Sequence, residues 1–380
     1  MAPPLLPELD PFPARSPGPV VLFLVDGLGW ARFRSWRSHR GSGPRPGWIA
    51  RASPLTTTFP STTTVALVSL STACAPASHG VVGYRQYIPR YRTVVDVLKM
   101  SRVGSSTPEE LVGPDWSPAD VSASPSVFRR GLVGAALTRD RFQGSGFTRI
   151  LYDGAEYVEY TTASDFAHQL ATILARPRPP PVVYAYWDEL DTLMHVRGVD
   201  SRLADLEIGR VFELLGYAAR ALRRDVARRV TVTVTGDHGQ VPATRADDFR
   251  LDRRPAISRL MARPLAGDRR AAFFQATPGH REELGRRLNR DLPTGSMVLP
   301  METAVESGLF GPRPFHPELA DRLGDWLALV PAPVGVTNPA PGRRPGSRFL
   351  LAAHGGLDLD ELLVPFIHAP LTEFAGFRPR

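Results

Sequence analysis

Apolar residues in this 380-residue chain fall into short unbroken runs separated by long, turn-rich stretches. The first run, Val20–Val25 (VVLFLV), leaves no polar position to face water, which predicts a strand buried on both faces of a parallel sheet. Val182–Tyr186 (VVYAY), Val230–Thr235 (VTVTVT) and Phe349–Ala353 (FLLAA) share that character. Between the second and third of these strands, Leu203, Leu206, Val211, Leu214, Leu215, Ala218 and Leu222 recur at helical spacing within Asp200–Arg224. Strand, helix, strand in that order is a βαβ unit. The pattern therefore predicts an α/β fold with a mostly parallel central sheet and helices on both faces. Leu362–Ala369 (LLVPFIHA) reads as an outer strand, because Pro365 suits an edge.

The remaining segments set the domain reading. Residues 1–18 are Pro-rich and read as a loose arm. Residues 19–239 form the catalytic core, with an irregular insertion at 90–180 that closes on the linker Arg176–Pro181 (RPRPPP). Residues 240–345 hold a strand-like AAFFQA and a helix-like REELGRRLNRDL between frame strands, so they read as a smaller inserted cap, and 346–380 return to the core.

Composition changes this picture little. The 33 glycines and 38 prolines account for the many turns. The net charge is +8, yet Lys99 is the only lysine and the arginines are scattered, so GC-rich coding explains the excess better than a basic surface. Nucleic-acid binding has charge alone behind it, with no basic block or RNA-binding signature. Cys74 is the only cysteine, which excludes an intramolecular disulfide and a cysteine-based zinc finger. No basic leader precedes an apolar stretch at the N-terminus and no run spans a bilayer, so the expectation is a cytoplasmic protein off the membrane.

The residues after each strand carry the chemistry. Asp26-Gly27 follows the first, and Asp188, Asp191 and His195 follow the second. Gly236-Asp237-His238-Gly239 follows the third, and His354-Gly355-Gly356 the fourth. Singly, each reads as well as a helix cap, a structural histidine or an i,i+4 pair. Together they load four strand ends with carboxylate and imidazole, where open α/β sheets form their sites. Even six of these seven side chains as ligands exceed what one catalytic zinc with an open position takes. Two divalent ions are expected, zinc first, with manganese or iron as alternatives.

A second signal is TTTFPSTTT at Thr56–Thr64, running into an apolar, small-residue segment Val65–Ser71 that reads as a buried helix. A threonine in that helix's first turn would sit at the positive dipole end, where an alkoxide and a phosphoryl oxygen are both stabilised. The alternative reading is that these threonines only cap the helix.

With these residues in place, the sequence resembles the alkaline phosphatase superfamily, and within it the nucleotide pyrophosphatase/phosphodiesterase type. In that superfamily the nucleophile opens a helix and precedes Thr-Gly, or a close equivalent, by nine and ten residues. Counting back from Thr72-Ala73 reaches Thr63. Thr62 is the nearer competitor; Thr58, before Phe59-Pro60, lies five residues too far. The resemblance implies Asp26, Thr63, Asp237 and His238 at the nucleophile-side metal, and Asp191, His195 and His354 at the other. It also implies an asparagine shortly after His79-Gly80 that would hold the phosphoryl oxygen. None is present, and Tyr84 or Arg85 would take that contact as hydrogen-bond donors. His79 reads as structural, while His316 and Arg322 are weaker substrate candidates.

The implied activity is phosphodiester or pyrophosphate hydrolysis of a small-molecule phosphate ester or nucleotide, through a phospho-threonine. A phosphomonoesterase, a phosphonate hydrolase, a phosphoglycerate mutase and a catalytically silent binding domain are the alternatives on the same fold. A sulfatase lacks its maturation signature here, and a P-loop enzyme lacks its Gly-rich loop before a lysine.

Overall fold

The computed structural model describes residues 18–39, 46–244, 248–338 and 350–377. The expected N-terminal arm, Gly18 excepted, and Phe349 lie outside them. The central sheet has seven strands: β1 Val20–Val25, β2 Ser53–Thr56, β3 Gly134–Arg139, β4 Glu156–Tyr160, β5 Val182–Trp187, β6 Thr231–Thr235 and β7 Leu363–Pro370. Their spatial order is β2-β7-β6-β1-β5-β3-β4. The five strands from β6 to β4 run parallel, and β7 pairs antiparallel with both β6 and β2. The chain is thus α/β with a large, mostly parallel sheet.

β1 lies between β5 and β6, and its alternate side chains enter opposite cores. Val21, Phe23 and Val25 pack with Phe33, Trp36, Phe166 and Phe212 from helices on one face. Leu24 packs on the other with Leu67 and Val68 of helix α1, Thr63–Thr72. Two more helices, α2 Glu189–Arg197 and α3 Arg202–Ala221, connect β5 to β6. No helix among the described residues is long and apolar enough to cross a membrane.

Three expectations are corrected. The segment expected as a fourth frame strand is extended only at Ala352–Ala353, which pairs antiparallel with Val241–Pro242 off the central sheet. Leu350 and Leu351 are 40% and 44% exposed, so this run does not bury both faces as a frame strand must. β7 is one strand in from the edge, because β2 covers it. Leu363–Phe366 bond only β2 and Ile367–Pro370 only β6, so Pro365 costs no ladder bond on the β6 side. The stretch 90–180 supplies β3 and β4. Gly134–Arg139 is rich in small residues and Glu156–Tyr160 in charge, so neither reads as a buried strand.

A second, antiparallel seven-stranded sheet is built mostly from the cap. Its order is Met297–Pro300, Trp326–Leu329, Ala271–Phe274, Ala266–Gly267, Arg85–Ile88, Thr93–Asp96 and Ser101–Arg102. The last three strands come from the residues just after α1, so the second sheet is stitched directly to the site.

α1 ends on Ala73 with φ 51°, the left-handed region that glycine enters without a Cβ penalty. Ala73→Gly is expected to stabilise the protein by about 1 kcal/mol. A lower thermal midpoint in that variant would contradict the strain argument.

Candidate active site

Each loop of the site leaves a secondary-structure end with a specific local reason. β1 hands the chain to Asp26 and then Gly27, whose φ is 75°. A Cβ on Gly27 would stand 3.0 Å from the Cα of Asp191, so only glycine lets the β1 loop approach α2 so closely. Along α2, Asp191 and His195 lie one turn apart on one face, 3.4 Å between Oδ1 and Nε2. The β6 loop carries Asp237 and His238, and Gly239 follows where a Cβ would fall 1.9 Å from the Asp360 carbonyl.

These loops converge. Asp26, Asp237 and His238 offer ligand atoms that all lie within 4.8 Å of one another, and so do Asp191, His238 and His354. His238 belongs to both groups. Its Nε2 stands 3.6 Å from Asp26 Oδ1 and 3.4 Å from Asp237 Oδ2, and its ring stacks on His354 at 3.9 Å. His195 is in neither group, but its ring lies 5.3 Å from that of His354.

The tautomers follow from the hydrogen bonds. Nδ1–H of His238 donates to the Gly239 carbonyl at 3.1 Å, that of His195 to Ala352 at 2.9 Å, and that of His354 to Ser61 at 3.2 Å. In the neutral ring this leaves Nε2 of each as the free acceptor facing the site, the form a metal takes.

The donor set fits a cation on its own evidence. Asp26 Oδ1 and Asp237 Oδ2 are buried acceptors with no hydrogen-bond partner. The other oxygen of each is held: Asp26 Oδ2 accepts from Tyr186, and Asp237 Oδ1 accepts the amides of Gly27 and His238 at 2.9 Å each. Burial, then the carboxylates of Asp237 and Asp191, push the Asp26 carboxyl well above its usual range. Burial, with His238 and His195 beside it, pushes the His354 imidazole well below its own. Acceptors this crowded and desolvated cost free energy until a positive charge joins them.

Thr63 is the first residue of α1, capped by Thr62 in extended conformation. Its hydroxyl lies 3.1 Å from His238 Nε2 and donates to it, given the tautomer. The hydroxyl of Thr58 is buried without a partner, and that of Thr62 faces the Asp268 carboxylate. Of the three threonines weighed, Thr63 is the one whose oxygen meets a candidate ligand.

A cleft of about 1110 Å³ opens on this constellation, lined by Asp26, Thr63, Asp191, His195 and His354. Tyr84 and Arg85 line it too. Burial pushes the Tyr84 phenol up, so it keeps its proton. Arg85 Nε is buried without a partner, and Arg85 forms no ion pair among the described residues.

Several supporting residues carry no sequence signal. Tyr186 lies inside an apolar strand yet holds Asp26, and Gln240 donates to Asp191. Asp268 enters the cleft from the cap, facing the Thr62 hydroxyl. Asp188 pairs instead with Arg139 at 3.1 Å and with Arg141. His79 is structural: Nδ1 accepts the Val81 amide at 3.1 Å, Nε2 meets Ser69 at 2.8 Å, and burial lowers its pKa to about 3. His316 and Arg322 lie away from the cleft. Arg322 donates to the carbonyls of Gly80 and Val121, and burial lowers the His316 pKa to about 4.

Murine ectonucleotide pyrophosphatase/phosphodiesterase 5 superposes with TM-score 0.67 at 17% identity, over 92% of this chain and 87% of that one. An inactive form of the murine protein in complex with AMP gives 0.68 at 17% identity, over 93% and 88%. Phosphonoacetate hydrolase from Sinorhizobium meliloti 1021 in complex with phosphonoformate gives 0.64 at 17% identity, over 93% and 90%. No curated protein sequence matches this chain. The family model for type I phosphodiesterase / nucleotide pyrophosphatase matches residues 20–296. That match spans most of a chain whose fold the solved relatives share. The chain therefore belongs to the type I phosphodiesterase/nucleotide pyrophosphatase family.

Proposed function

We propose that this chain is a two-metal phosphohydrolase that cleaves phosphodiester or pyrophosphate bonds in a small-molecule phosphate ester or nucleotide. The observation that carries the reading is the Thr63 hydroxyl, at the start of α1 and 3.1 Å from a histidine shared by two acidic ligand groups. Asp26, Asp237, His238 and Thr63 would hold one divalent ion, and Asp191, His195 and His354 the other. Zinc suits this oxygen and imidazole set, as manganese or iron would. Such ions supply positive charge that polarises the phosphoryl group and offsets the charge developing on its oxygens.

The chain's own groups do the rest. Thr63 gives its proton to solvent water, and the N-terminal end of α1 favours the charge that builds on Oγ1. Oγ1 then forms the bond to phosphorus while the bond to the leaving oxygen breaks, giving a phospho-threonine. Water hydrolyses that ester and restores the hydroxyl. Arg85 and Tyr84 donate to the non-bridging oxygens and orient the group, in place of the missing asparagine. The AMP held by the murine relative supports a nucleotide-sized ligand here.

A paired assay of zinc-loaded protein on an aryl phosphodiester and the matching monoester tests this. Higher kcat/KM for the diester is the expected result. Preference for the monoester would move the function to phosphatase chemistry, and no turnover with metal bound would support the silent binding domain. Phosphonoacetate as a third substrate tests the phosphonate alternative.

A further inference from the structure

One hairpin turn of the cap reaches the loops of the site. Ala266–Gly267 and Ala271–Phe274 pair antiparallel, and the Asp268 amide closes the turn on Ala271 O at 2.8 Å. Arg270, in that turn, is 2% exposed and points away from the cap into the core. Its Nε and Nη2 donate to the two oxygens of Glu361 at 2.9 Å each, and Nη2 also reaches Asp358. Glu361 is fully buried.

Glu361 holds both histidine loops at once. Its Oε1 accepts the amide of Gly356, two residues past His354, at 2.9 Å. Its main-chain carbonyl accepts the amide of Gly239, the residue after His238, at 2.8 Å. A Cβ on Gly356 would stand 2.8 Å from Glu361 Oε2 and 3.2 Å from Arg270 Nε, so the loop sits directly on the pair. A buried ion pair is weak evidence for stability, since hydrophobic replacement often does as well. A bidentate pair whose acceptor is also bonded to both ligand loops has a geometric use instead.

We infer that Arg270 and Glu361 are positioning residues through which the cap sets the metal geometry of the core. Arg270 fixes Glu361, and Glu361 fixes the loops that bring His238 and His354 together. The inference rests on the reading of those histidines as ligands.

The test prepares Arg270→Lys, Glu361→Gln and Asp358→Asn free of metal and measures zinc affinity by competition with a chromogenic chelator. Lysine keeps the charge and loses the fork, and glutamine keeps the shape and loses the charge. Folded Arg270→Lys and Glu361→Gln are expected to bind zinc about 10- to 100-fold more weakly, with turnover recovering in excess zinc. Their cobalt-loaded absorption spectra should also shift, which lost stability alone would not cause. Asp358, half exposed, shares Arg270 Nη2 with Glu361, while Nε still holds Glu361, so Asp358→Asn should fold and show a smaller weakening. Wild-type zinc affinity in the folded variants overturns the inference. His354→Ala separates the two failures: if it too keeps full zinc content, the ligand reading has failed rather than the role of the pair.

Discussion

Thr63→Ala is expected to retain its metal and lose turnover by roughly 10⁴-fold or more, the scale on which enzymes lose rate when a nucleophile is removed. The loss should fall on kcat, because the cleft and the groups facing the phosphoryl oxygens stay in place. Metal content should survive because the carboxylates and imidazoles remain and Thr63 supplies only one oxygen. Thr62→Ala is the matched control. Its hydroxyl faces Asp268 and caps no amide of α1, so its loss should leave kcat within a few fold and cost about 1 kcal/mol of stability at most. Trapping of labelled phosphate on wild-type protein but not on Thr63→Ala would place the intermediate. Wild-type turnover in Thr63→Ala, or loss of turnover in Thr62→Ala instead, would move the nucleophile.

The second large effect is expected at His238. It is shared by the two ligand groups, with Nε2 facing Asp26 and Asp237 while its ring stacks on His354. His238→Ala should empty the position it forms with Asp26 and Asp237 and reduce kcat/KM by about 10³-fold or more, whereas His354→Ala should empty the other. The two variants should also differ in stability. Without metal, the Asp26 and Asp237 oxygens face each other unpaired, so zinc should raise the wild-type melting temperature strongly and that of His238→Ala little. Elemental analysis beside thermal melts reads both. Wild-type metal content in His238→Ala would refute its place as a ligand.

Much of the site was legible before any fold was known. Asp26, Asp191, His195, Asp237, His238 and His354 each follow an apolar run closely in sequence, so chain continuity alone brings most of them to strand ends. The spacing from Thr63 to Thr72 is read from a single helix, which is why a local count reached a residue that folds beside His238. The groups that hold these side chains were not legible. Tyr186 hides in an apolar strand because its ring packs as one while its hydroxyl reaches Asp26. Arg270 and Glu361 are 91 residues apart and look like ordinary surface charges until folding buries them together.

Three strands of the parallel frame, β1, β5 and β6, were determined by the sequence itself, because a strand buried on both faces is drawn from apolar and β-branched residues. Glycines beside the ligands likewise record loops that approach one another too closely for a Cβ. Tertiary structure alone decided three other things. β3 and β4 join the sheet although their residues are small or charged, since the pairing of β3 with β5 and of β4 with β3, rather than local pattern, places them. The run before His354 leaves the sheet for a short ladder with Val241–Pro242, a pairing between residues more than a hundred positions apart. The second sheet takes three strands from the residues after α1, so cap and core share a backbone ladder at Gly267 and Arg85. Such pairings depend on which backbone edges fold side by side, and local patterns of apolar residues carry no record of that.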